Sequence, residues 1–137
     1  DHPYADGAVL PGGLRAYRLE GGAFPGDTVL RWTAPDGMRV RFTGDALNGG
    51  FNRLNPAGPH PRRGEPGLYL GAGPFYLEKC AAAPLKASMH GLLDERIDMI
   101  AGAHGDPVTS DPKEMLGRLL AIDWVPLLKE KQFPQVH

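Results

Sequence analysis

The sequence holds one cysteine, Cys80, in 137 residues. A lone thiol excludes an intramolecular disulfide framework, so the fold must stand on its apolar core. Long apolar runs are missing as well. Nothing approaches the roughly 18 residues of a membrane-spanning helix, and no leader-like pattern opens the sequence. Neither charge is in excess: 15 basic and 16 acidic residues leave a net charge of −1. No global field therefore draws the chain toward nucleic acid or an anionic membrane, and neither is expected as a partner. His2, His60, His90, His104 and His137 are scattered, without HExxH or CxxC spacing, so no metal is expected. There is no GxSxG elbow, and GAGP at Gly71 to Pro74 lacks the remaining glycine and the lysine of a phosphate-binding loop. Cys80 sits among alanines and reads as a small core residue, not as a nucleophile.

What the sequence does have is 19 glycines and 14 prolines, which punctuate it into short elements. Its length suits one domain. We expect an irregular arm over 1–13, a single domain over 14–128 and a polar, frayed tail over 129–137. Leu14 to Glu20 alternates as a half-buried strand ended by Gly21 and Gly22. Thr28 to Thr33 and Met38 to Thr43 flank APDG, a turn sequence, and read as a β-hairpin. One face of that hairpin is apolar; the other carries Arg31, Arg39 and Arg41, either as a solvated outer face or as the wall of a cleft.

Gly67 to Gly71 reads as a short buried strand, Pro74 to Ala83 as a helix, and Pro84 to about Glu95 as a second helix with Leu85, Met89, Leu92 and Leu93 on one stripe. Arg96 to Ala101 alternates, and fits a strand or a continuation of that helix. Asp111 to Glu114 is a helix start with an acidic cap, Pro at the first position and Glu three residues after the cap. Met115, Leu116, Leu119 and Leu120 follow as its core stripe. Strands early and helices late make an α+β class: a small antiparallel β-rich core with two or three helices.

The most distinctive stretch runs from Asn48 to Glu78. A glycine-, proline- and arginine-rich loop leads into the apolar run Leu68-Tyr69-Leu70 and then a segment carrying Glu78. A connection this long, with so little side-chain mass to bury, is expected to be functional. Preceded by Tyr17-Arg18 and by the turn Gly49-Gly50-Phe51-Asn52 with Asn55-Pro56, this order resembles the RES-domain toxins and, more widely, the ADP-ribosyltransferase superfamily. Gly50 stands where the family turn has arginine.

That resemblance implies an ADP-ribosyltransferase-like fold and an NAD-consuming toxin or effector domain, a glycohydrolase or a transferase, with NAD as substrate and no metal. By the same resemblance Glu78 is the catalytic carboxylate, Arg18 binds the NAD phosphates, Gly50, Phe51 and Asn52 form the binding turn, and Tyr69 stacks on the nicotinamide. The residue types suit the chemistry. Arginine offers a rigid fork of donors to a pyrophosphate, and glycines let backbone N–H groups approach a ligand closely. A tyrosine face favours a cationic ring, and a carboxylate stabilises the positive charge that develops as the nicotinamide–ribose bond breaks.

A chain opening at Asp1 suits a domain released from a larger secreted polypeptide, acting in a reducing cytoplasm. An immunity or antitoxin protein covering the cleft is then the expected partner. The alternative is a non-catalytic binding module whose basic hairpin face and Arg-rich loop hold an acidic or phosphorylated partner. A hydrolase with an unrecognised nucleophile is a third reading.

Overall fold

The computed structural model describes residues 4–50, 67–71 and 74–137. The first half is sheet. Strands β1 (Arg15–Arg18), β2 (Thr28–Thr33) and β3 (Arg39–Gly44) form an antiparallel meander, to which β6 (Met99–Gly102) adds in parallel beside β3. The hairpin sits where APDG places it, with Ala34 N–H donating to Met38 O at 2.8 Å and the Asp36 carboxylate accepting from Met38 N–H at 3.0 Å. Strands β4 (Leu47–Gly49), β5 (Leu68–Leu70) and β7 (Gln135–Val136) make a second, antiparallel sheet in which β5 is central. Helices α1 (Pro74–Lys79), α2 (Ala82–His90), α3 (Pro112–Ala121) and α4 (Trp124–Lys129) complete the described residues, with a 3-10 turn from Gly91 to Asp94 after α2. The fold is α+β and, among the described residues, has one more helix than expected and one parallel strand pair in the core.

The two sheets share one apolar core. Leu47, Leu68 and Leu70 from the second sheet meet Val29 and Ile100 from the first, under Leu85, Met89 and Leu92 of the α2 region and Leu116, Leu119 and Leu120 of α3. The α3 stripe thus faces inward as its spacing requires. Its expected acidic cap does not form: Asp111 adopts a left-handed conformation (φ 48°) and its side chain caps nothing. The α2 stripe is also correct, but the helix tightens after His90, at Gly91.

Three elements were not anticipated. β4 is short and carries the buried polar Asn48, so it lacks a strand pattern. α4 runs through Pro126, which its first turn tolerates, and Asp123 caps it by accepting from Val125 N–H at 3.1 Å. The segment expected to fray instead supplies β7, because Phe133 and Val136 are buried and Leu70 N–H donates to Pro134 O at 2.9 Å. Arg96 to Ala101 resolves in favour of strand, as β6. The arm is tied down too: Val9 bridges Arg15, and Asp6 Oδ1 accepts from Arg18 N–H at 3.0 Å.

Of the two readings of the hairpin's arginine face, a solvated outer face does not hold for Arg41, while Arg39 is exposed. Arg31 and Arg41 lie directly opposite each other on the inner face, with Tyr17 and Val29. Tyr17 marks that face as inner, since its hydroxyl donates to Ser88 O of α2 at 2.7 Å. Arg41 is only 2% exposed. Leu30, Trp32 and Phe42 take the outer face, where Phe42 is 39% exposed. A basic residue can line the inside when a carboxylate reaches it, and Glu95, brought in by the chain beyond α2, does so here.

Candidate functional site

The β1–β2 connection folds back on α1, and this docking assembles the site. Three residues after Arg18, Gly21 O accepts a hydrogen bond from Ala81 N–H at 2.8 Å, three residues after Glu78. Gly21 has φ +78°, and a Cβ there would lie 2.7 Å from Leu85 N, so only glycine allows the approach. Phe24 then packs on α1, its ring 5.7 Å from Phe75 and 6.4 Å from Tyr76. The Tyr76 hydroxyl donates to Asp27 Oδ2 at 2.9 Å. β1 is fixed from the other side, where Glu20 N–H donates to Ser88 Oγ at 3.1 Å. A cleft of about 230 Å³ remains along this connection, lined by Arg18, Glu20, Gly22, Phe24 and Gly26 among others.

The carboxylates of these elements differ in state, and neither Asp27 nor Glu78 lines the cleft itself. Burial raises the Asp27 carboxyl above its ordinary range, against the lowering effect of the Tyr76 hydroxyl, and the Asp45 charge adds to the rise. Burial, followed by the charge of Asp27, pushes the Tyr76 phenol well above the usual tyrosine range. Glu78 lies on the exposed side of α1, where Lys131 Nζ donates to its Oε1 at 2.7 Å and holds its carboxyl below the ordinary range. Cys80 is half-buried, and its thiol is pushed up by that burial, which suits packing better than nucleophilic attack.

The residues singled out in the sequence fall in different places. Arg18 ends β1 opposite Thr28 and lines the cleft. Glu78 is on the neighbouring helix. Tyr69 lies in β5 between Asn48 and Gln135, edge-on to the His137 ring at 5.6 Å, and is 0% exposed. No face of its ring is open for stacking. Gly50 is buried at the end of the second sheet. Phe51 and Asn52 lie outside the described residues, as does most of the Arg-rich loop. Asn48 beside them is fully buried, its carboxamide donating to Asp45 O at 3.1 Å and accepting from His104 N–H at 3.0 Å.

Two pairs escaped the sequence reading. Asp27 and Tyr76 are 49 residues apart, and nothing periodic marks Asp27, which ends a Gly/Pro turn. His104, exposed in the loop after β6, has its Nε2 3.3 Å from Asp45 Oδ1, 59 residues back in the chain. Among the described residues no group of three or more His, Cys, Asp or Glu is placed to hold a metal. No described helix is long and apolar enough to cross a membrane. The chain matches no known protein-family model and no curated protein.

Proposed function

We propose that this domain cleaves the nicotinamide–ribose bond of NAD, as a glycohydrolase or an ADP-ribosyltransferase. The observation that carries the reading is the docking of the β1–β2 connection on α1, which packs the turn that follows Arg18 against the helix that carries Glu78. The order of elements supports it as well: the strand with Tyr17-Arg18, the Leu68-Tyr69-Leu70 strand and the helix with Glu78 follow one another as the resemblance to the RES and ADP-ribosyltransferase domains implies.

In this reading Arg18 takes the pyrophosphate, for which an exposed guanidinium offers paired donors. Glu78, an exposed carboxylate, is anionic at neutral pH, and Lys131 favours that form further. That is the form required to stabilise an oxocarbenium-like ribose, and an incoming acceptor can be oriented by the same carboxylate. Tyr69, being closed to solvent, acts as the buried prop of the strand leading to α1 in place of a stacking surface.

The test is nicotinamide release from NAD by the purified protein. Wild type is expected to release it, and Glu78→Gln to lose about 100-fold or more, the scale of removing one electrostatic group from a transition state. Arg18→Gln is expected to raise KM more than it lowers kcat. Equal rates in wild type and Glu78→Gln would remove Glu78 from the chemistry.

A further inference from the structure

Across three adjacent strands the inner face of the first sheet carries a row of arginines, with Arg15 opposite Arg31 and Arg31 opposite Arg41. Like charges directly opposite on neighbouring strands repel. The one carboxylate bonded to the row among the described residues is Glu95. Its Oε1 accepts from Arg31 Nη1 at 3.2 Å and its Oε2 from Arg41 Nη2 at 2.8 Å, so a single carboxylate spans two guanidiniums. Arg41 also donates to Val40 O and to Arg96 O, each at 3.2 Å. Among the described residues Arg31 bonds Glu95 alone, with its guanidinium 4.2 Å over the Tyr17 ring.

A guanidinium has five N–H donors, and the Nε atoms of both Arg31 and Arg41 are buried without a hydrogen-bond partner. Buried donors left in this state are costly. The row is therefore short of acceptor oxygens and of negative charge. It is also graded in access: Arg15 is exposed, the Arg31 side chain is 22% exposed and that of Arg41 3%. Glu95 itself is 45% exposed, so its side chain can swing into water without any strand parting.

We propose that Arg31 and Arg41 form a binding site for a phosphoryl anion, and that Glu95 is an internal carboxylate occupying that site until such an anion displaces it. The two carboxylate oxygens of Glu95, one on each guanidinium, stand where two oxygens of a phosphoryl group would bind. A phosphoryl group carries more charge and a further oxygen, which the spare donors of Arg31 can take. The site is built from different residues than Arg18 and Glu78, so it stands or falls independently of NAD cleavage.

Calorimetric titration of the full chain with inorganic pyrophosphate at low salt tests it, with potassium chloride at matched ionic strength as the control. Arg18 is itself read as a pyrophosphate ligand, so every protein titrated carries Arg18→Gln, and that parent, the wild type of this test, should bind saturably at one site. Glu95→Gln should bind at least about tenfold tighter because its amide no longer competes as an anion, and Arg31→Gln at least about tenfold weaker. Should Glu95→Gln fail to fold, the rise of the thermal midpoint on adding pyrophosphate, compared between wild type and Arg31→Gln, gives the same decision. Absence of saturable binding, equal affinity in folded Glu95→Gln and wild type, or undiminished binding or midpoint shift in Arg31→Gln would each overturn the proposal.

Discussion

The two sheets bury themselves in opposite ways. Every residue of β4 and β5 is closed to solvent, whereas β2 and β3 alternate and leave Leu30, Trp32 and Phe42 on a partly open face. A strand covered on both sides spends its side chains on packing, and Tyr69 and Asn48 illustrate this. Both lie in a stretch whose composition suggests a binding region, and both are scaffolding. The less enclosed sheet holds the charged groups whose environments are unusual: the arginine row under Glu95, and Asp27 beyond β1.

Substitutions can break or sharpen that contrast. Truncating Leu68 or Leu70 to alanine removes a fully buried side chain and is expected to cost about 2–5 kcal/mol in urea unfolding, whereas Leu30→Ala on the open face should cost about 1 kcal/mol or less. Equal losses would erase the distinction between the sheets. Next comes Glu95→Ala, expected to cost about 3 kcal/mol because it leaves the buried Arg41 charge without its carboxylate. By comparison, Glu78→Gln should leave the thermal midpoint unchanged, since its pair with Lys131 lies in water.

The smallest effect concerns Asp27. Its folded pKa is raised, so it favours the folded state in acid and that contribution is lost as pH rises through the folded value. Stability measured upward from about pH 4, the ordinary aspartate range, should therefore fall less steeply in Asp27→Asn. It should fall more steeply in Tyr76→Phe, which removes a hydrogen bond that lowers the Asp27 pKa. Identical pH profiles for the three proteins would show that Asp27 is not under this strain.

Local pattern made part of the fold legible. APDG between two alternating runs fixes a hairpin within a few residues, and the spacing of Leu116, Leu119 and Leu120 fixes which side of α3 is buried. Orientation of the hairpin was not legible, because arginine alternating with apolar residues reads as a wet face unless the partner is known. The partner, Glu95, lies 54 residues beyond Arg41. The same holds for the parallel pairing of β3 with β6 and for β7, whose two residues carry no pattern of their own. At the site, Arg18 and Glu78 could be named from motif order. The Asp27–Tyr76 bond could not, because it depends on how one glycine-rich turn meets one helix.

The second sheet draws β4, β5 and β7 from three widely separated parts of the chain, and β5 finds both of its partners only when all three have come together. Closing such long intervals carries an entropic cost before any strand pairing offsets it. The hairpin of β2 and β3 has no such delay. This protein should therefore assemble from its exposed side inward, with its most deeply buried strand the last to become protected from hydrogen exchange during refolding.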